Sequence, residues 1–221
     1  MGSFFSINSP FYKIMSKVFD AIVISLIYVV VCIPVITIGP ATTALYYTIV
    51  KSLRRERGYI VREFFKSFKM NIKQGIIAGL IFTLLAALLI FNLYNVDVIG
   101  GKAAGYLWYL YLILLILEMM VYVYVFPILS RFTVTIKNLF RLSLFMAIRH
   151  LLTTLVSLVI LAAGLLITWL TTGLALFFVP ALVTLLTSLM MERVLKRYLP
   201  EQEEEYDENG ELIKKDEWFR E

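Results

Sequence analysis

An all-α, polytopic membrane fold is predicted by three observations. Of the 221 residues, 60% are hydrophobic and only 17% are charged; soluble globular chains run at about 45–50% and about 25%. The charges are also unevenly spread. None occurs in residues 21–50, 74–96 or 151–191, gaps of 30, 23 and 41 positions. Each exceeds the roughly 18 apolar residues that mark a membrane-span candidate. These features exclude a soluble enzyme, a disordered protein, a secreted disulfide scaffold and a nucleic-acid-binding domain as descriptions of the whole chain.

A hydrocarbon core of about 30 Å takes about 20 helical residues. The first gap supplies one span, about 18–38, stopped by Gly39-Pro40. The second supplies 75–93. A third runs over 104–126, interrupted only by Glu118 and followed by Pro127. The longest gap suits two spans, 151–170 and 174–191, with Thr171-Thr172-Gly173 as the turn between them and Pro180 kinking the last. Five spans result. Residues 1–199 read as one integral membrane domain, and 200–221 as an acidic, flexible cytoplasmic tail containing an Asn209-Gly210 turn signal.

Net charge is +5, but it divides into +12 over residues 1–199 and −7 over 200–221. Lys and Arg concentrate in short loops on the cytoplasmic side of membrane proteins. Here eight bases lie between spans one and two, four between spans three and four, and three follow span five. Lys13, Lys17 and Lys102 fall on the other side, which predicts the N-terminus outside and the C-terminus in the cytoplasm. That placement also sets aside the short myristoylation pattern at Gly2. The single cysteine, Cys32, permits no intramolecular disulfide and reads as a small buried hydrophobe.

The first cytoplasmic loop is predicted to form two helices. One opens at Gly39-Pro40, with proline in its first turn, and ends near Gly58. In the second, Arg62, Lys66, Lys69 and Lys73 make one stripe, while Val61, Phe65, Phe68 and Ile72 make another about 100° away. Such a helix lies among lipid headgroups, and its bases attract anionic lipid or dock a partner protein. Arg54 and Arg55 join this basic face. An eight-residue match between SFKMNIKQ (67–74) and SLFMAIRH (143–150) suggests that the unit is repeated.

The stretch IPVITIGPATTALYYTIVKSLRRERGYIVREFFKSFKMNIKQG (33–75) resembles the YesL-like family of small bacterial membrane proteins. The opening FFSINSPFYKIMSKVFD, the central VFPILSRF and the segment before His150 are similar too, so the likeness covers about residues 4–199. The resemblance implies a cytoplasmic-membrane protein accompanying carbohydrate-uptake and glycan-degradation systems, with no catalytic residues and no cofactor. It marks Pro34, Thr37, Gly39, Pro40, Thr42, Arg54, Phe64, Phe65 and Lys73 as signature positions. For Pro34, Thr37, Gly39, Pro40 and Thr42 the residues themselves leave two readings open: close helix packing, or a broken helix lining a cleft.

Glu118 is the one charge well inside a predicted span. A carboxylate in lipid costs several kcal/mol unless it is neutralised or paired. It reads either as a proton- or substrate-coupling site or as a packing residue near Thr83, Thr154 or Thr168. Asp20 and His150 fall at span ends, where they reach water. With one histidine the H-E-x-x-H pattern is impossible, and neither a phosphate loop nor a nucleophile elbow occurs. The expectation is a non-enzymatic accessory protein. Its partners would be the bilayer and a transporter permease or a second copy, with no metal and no nucleic acid. The alternative is a small oligomeric transporter or channel using Glu118.

Overall fold

A computed structural model describes residues 10–98 and 100–198. The Gly2 pattern and the acidic segment 200–221 lie outside the described residues. The described residues form seven α-helices: α1 (Pro10–Cys32), α2 (Ile38–Thr48), α3 (Ile60–Asn95), α4 (Gly101–Arg131), α5 (Ile136–Arg149), α6 (Leu151–Leu170) and α7 (Val179–Leu195). No strand occurs among the described residues. Four helices are long and apolar enough to cross a membrane: α1, α3, α4 and α6. The remaining predicted span corresponds to α7, which has 17 residues.

Several boundaries differ from expectation, each for a local reason. The first span ends at Cys32 rather than Ile38, because Pro34 supplies no N–H and disfavours helix before it. The Thr37 hydroxyl bridges the carbonyls of Val31 and Pro34 that this break releases. Gly39 and Pro40 do not stop a helix; they lie in the first turn of α2, where the missing donor of proline is harmless. Pro127 does not end α4 at the expected place, since that helix continues to Arg131. Pro180 does not kink the last span either. It occupies the first turn of α7, after a short 3-10 turn over Leu174–Phe177. The predicted turn before it is present: Gly173 takes a left-handed φ of 87°.

The largest correction concerns α2. Expected as a helix of the first cytoplasmic loop, it is instead the buried axis of the protein. Residues 43–50 are all buried. Its Tyr46, Tyr47 and Val50 belong to one apolar core shared with α4, α5 and α7. Its Ala41, Ala44, Leu45 and Ile49 belong to a second, shared with α1 and α3. A helix that is apolar on every side buries every side, and no charge occurs between Asp20 and Lys51. After Thr48 it widens into a π-helical turn over Ile49–Arg54.

α1 and α2 run antiparallel, with Tyr28 hydrogen-bonded to Thr42 and Lys17 paired with Glu56 at 2.7 Å. Lys17 was expected across the membrane from the bases of residues 51–73. An ion pair does not straddle a bilayer, so the first half of α1 and the Arg54–Arg57 turn share one end of the protein.

α3 reverses direction again, placing Glu63 on Lys51 and Gly75 under Gly39. A Cβ on Gly39 would fall 1.9 Å from the Gly75 carbonyl oxygen, and one on Gly75 would fall 2.7 Å from Pro40. Small residues let these two backbones touch. α3 also unites two expected pieces, the amphipathic helix and the 75–93 span, into one rod of 36 residues. At about 1.5 Å per residue that is about 54 Å, well beyond a bilayer core. α4 returns alongside it, joined by Phe82 against Tyr122 and by Gln74 donating to the Val134 carbonyl. α6 starts beside Tyr124, and α7 pairs with it head to tail: Gly164 meets Val183, and His150 meets Tyr198.

Candidate functional site

The chain concentrates its buried polarity where α2, α4 and α7 converge. Glu192 on α7 is 5% exposed. Arg131, at the last turn of α4, donates from Nε to its Oε1 at 3.2 Å and from a terminal nitrogen to its Oε2 at 2.6 Å. Tyr46 on α2 donates its hydroxyl to the same carboxylate at 2.8 Å. Arg55 stands 3.9 Å away. Arg54 turns inward as well, donating to the carbonyl and hydroxyl of Ser188 at 2.9 and 3.2 Å.

Two guanidinium groups thus flank one carboxylate, and a third is held one turn away on Ser188. Burial, and then the Arg131 cation beside it, lower the proton affinity of Arg55 below the usual arginine range. A two-pronged arginine–carboxylate pair with an added phenol fixes geometry as well as charge. Chemically it is a tie: it locks three helices together and offers no nucleophile.

A second buried pair lies beside it. Lys51 donates to Glu63 at 2.9 Å and to the Tyr47 hydroxyl at 3.3 Å. Burial alone would make Lys51 release its proton more easily. The hydrogen bonds to Glu63 and Tyr47 outweigh it, and its proton affinity rises.

The residues singled out from the sequence fall into four places. Arg54 and Arg55 belong to the buried tie rather than to an open basic face. Arg62, Lys66, Lys69 and Lys73 are exposed along α3. Of the apolar stripe beside them, Val61, Phe65 and Ile72 are exposed, and the face packed inward is Ile60, Glu63, Phe64 and Ser67. Between this part of α3 and the link after α4 lies a recess of about 880 Å³, lined by Lys69, Lys73, Asn71 and Thr133 among others.

Gly39 and Pro40 form the α2–α3 contact, while Pro34 and Thr37 make the turn before it. Thr42 of that group lines a cavity between α2, α4, α6 and α7.

Glu118 is elsewhere. It is 6% exposed and borders an apolar groove of about 540 Å³ between α3, α4 and α5. Neither carboxyl oxygen has a hydrogen-bond partner, although the group faces the Ala86 turn of α3. None of the expected threonines serves it; Thr154 instead bonds the Tyr124 hydroxyl at 3.1 Å. His150 joins α5 to α6 and contacts the Tyr198 hydroxyl at 3.0 Å.

Sequence reading missed Glu192 and Arg131. The available signal was modest: Glu192 is the first charge after a 41-residue gap, and Arg131 follows a long apolar helix. Their partnership, across 61 residues, has no sequence pattern.

Residues 21–93 match the model of a protein family of unknown function, DUF624. No curated protein and no solved structure matches the chain. The matched segment contains the second half of α1, all of α2 and nearly all of α3, and so includes the Gly39–Gly75 crossing and the Tyr46 arm of the tie. Arg131 and Glu192 lie beyond it.

Proposed function

We propose that this chain is a YesL-like, non-enzymatic membrane protein that acts as an accessory component of a bacterial carbohydrate-uptake or utilisation system. The family match over residues 21–93 supports the assignment, because it contains the 33–75 stretch that carries the resemblance. Docking through the basic end of the molecule is supported chiefly by the exposure of Arg62, Lys66, Lys69 and Lys73 on one stripe of α3. This part of α3 packs on α2 through its opposite face, so the stripe is rigid and already ordered before any partner arrives. The recess beside Lys69 and Lys73 adds a concave surface to the same face.

In this reading the basic end is cytoplasmic, and the pairing of Lys17 with Glu56 brings the start of α1 to that side too. Anionic headgroups would gather at the same bases, at about 1 kcal/mol for each. The core tie would serve as the anchor that fixes the face.

Purification from native membranes tests the proposal. A transporter permease recovered in stoichiometric amount, and lost when Arg62, Lys66, Lys69 and Lys73 are changed together to Glu, is the expected result. Recovery of the permease with that quadruple variant would end the docking argument.

A second reading has one observation in its favour. Glu118 presents a buried, unpaired carboxyl at a groove between α3 and α4, which suits a small oligomeric transporter or channel with that groove at its subunit contact. The same purification would then yield a lone oligomer that moves solute in liposomes.

A further inference from the structure

Hydroxyl groups in membrane helices usually donate to a carbonyl one turn earlier. Thr42 does so to Ile38 at 2.8 Å, Thr168 to Gly164 at 2.8 Å and Thr187 to Val183 at 2.9 Å. Ser157 on α6 does not. Its side chain is 1% exposed and its Oγ has no hydrogen-bond partner. A buried polar group left this way costs about 1–3 kcal/mol, so its surroundings call for an explanation.

Ser157 borders the cavity between α2, α4, α6 and α7, and five more hydroxyl residues line it: Thr42, Tyr46, Tyr122, Thr184 and Thr187. No charged side chain is among its lining residues. The nearest ions belong to the tie, and they are held behind Tyr46, which turns its proton toward Glu192. Thr187 spends its proton on the Val183 carbonyl, which leaves oxygen lone pairs as its remaining capacity, while Thr42 donates to Ile38 and already accepts from Tyr28. Ser157 adds a free donor as well as an acceptor. The walls between these groups are apolar, including Phe126 and Leu161. The volume is about 90 Å³, room for about six water-sized atoms at about 15 Å³ each.

A chamber with these properties suits a ligand that is neutral, small, rich in hydrogen-bond donors and able to accept one bond. We propose that it is a binding site for a small polyol of the size of glycerol. A carboxylate or phosphate would meet oxygen lone pairs and no cation. An ammonium ion would meet no anion within the cavity. A purely apolar molecule would leave Ser157 unsatisfied. The inference is independent of docking at the basic end, since it concerns a different face of α2 and different helices.

Saturation-transfer NMR on the full chain in nanodiscs, prepared without glycerol and then given glycerol, tests it. Transfer to the glycerol protons is expected for the native chain. Ser157→Ala should weaken binding about fivefold, the value of one ordinary hydrogen bond. Ser157→Leu should abolish it by filling the space. Thr168→Val, which alters a hydroxyl outside the cavity, should leave the signal unchanged. Elution volume and melting temperature identify variants that fail to fold; Thr187→Ala supplies a second cavity variant if Ser157→Leu is lost. A native signal no larger than that of Ser157→Leu or of empty nanodiscs would overturn the proposal and leave the cavity as a site for water alone. Equal transfer in the native chain and Ser157→Ala would also overturn it.

Discussion

Among the buried carboxylates, Glu192 at 5% exposure and Glu118 at 6% lie at nearly equal depth. Their surroundings are opposite. Glu192 receives Arg131 through two nitrogens and Tyr46 through its hydroxyl. No side chain donates to Glu118, which faces only the backbone of the Ala86 turn. Burial by itself therefore says little about what an acidic residue contributes. The donors that its neighbours bring decide whether it holds helices together or is merely tolerated among them. Glu118 interrupts a long apolar run and Glu192 ends one, but which of them finds donors is decided in three dimensions.

The largest effect should come from breaking the well-partnered site. Glu192→Leu leaves Arg131, whose side chain is 2% exposed, without its carboxylate. Orphaning one member of a buried pair costs about 3–5 kcal/mol. The expected outcome is a severe loss of monodisperse protein on gel filtration and a large fall in melting temperature. Adding Arg131→Met should recover much of that loss, because removing both charges avoids the stranded cation. A Glu192→Leu protein as stable as the native one would show that the tie contributes nothing to the fold.

An intermediate effect is expected at the second pair. Glu63→Leu leaves Lys51 with the Tyr47 hydroxyl and the face of its ring, 5.4 Å from the centroid. The cost should be about 2 kcal/mol, between a lost ordinary hydrogen bond and a fully orphaned charge. Chemical denaturation in mild detergent would measure it. Lys51 should also bind its proton less tightly in this variant, because burial would remain while its strongest compensating hydrogen bond is gone.

Glu118→Leu should have a smaller effect of opposite sign, a gain of about 1 kcal/mol from removing a buried polar group without partners. Thermal melts of Glu118→Leu and Glu118→Gln measure it. A cell-based assay gives the same variants a second meaning. Stability kept or improved but activity lost in Glu118→Gln would mark the carboxyl as part of a transport path. Unchanged activity would leave it as a packing residue.

How legible this arrangement was depends on the range of the interactions involved. α6 was readable to the residue, Leu151–Leu170, because its limits follow from a local charge and a local turn. The opening of α2 at Gly39-Pro40 was legible, but its burial was not, because a break followed by a basic run has the composition of a surface loop. Only the contact with Gly75 and Gly79 shows that these residues serve a crossing instead. The proposed repeat illustrates the same limit. Its shared serines, Ser67 and Ser143, are both buried, but Met70 is 68% exposed where Met146 is fully buried. Similar short segments sit in unlike settings, one within the long rod of α3 and the other in the separate helix α5. The tie was the least legible feature, because Tyr46, Arg131 and Glu192 come from three distant parts of the chain, and arginines near loops read first as surface charge.

The smallest effect extends the contrast from acids to a cation. His150 contacts the Tyr198 hydroxyl, and its proton affinity is lowered below the usual histidine value of 6.5 by burial, then by the nearby Arg197 and Arg149. The folded protein thus resists protonating a ring that the unfolded chain protonates freely. Above about pH 6.5 both states are neutral and His150 contributes no pH dependence. Below it the unfolded chain takes up the proton first, so folded-state stability falls with acidification until the folded ring also titrates. Water reaches the group, which limits the effect to roughly a few tenths of a kcal/mol. Melting temperatures at descending pH should therefore decline slightly more steeply for the native protein than for His150→Gln. Identical slopes would mean that the ring, unlike Glu192, finds compensation for its charge.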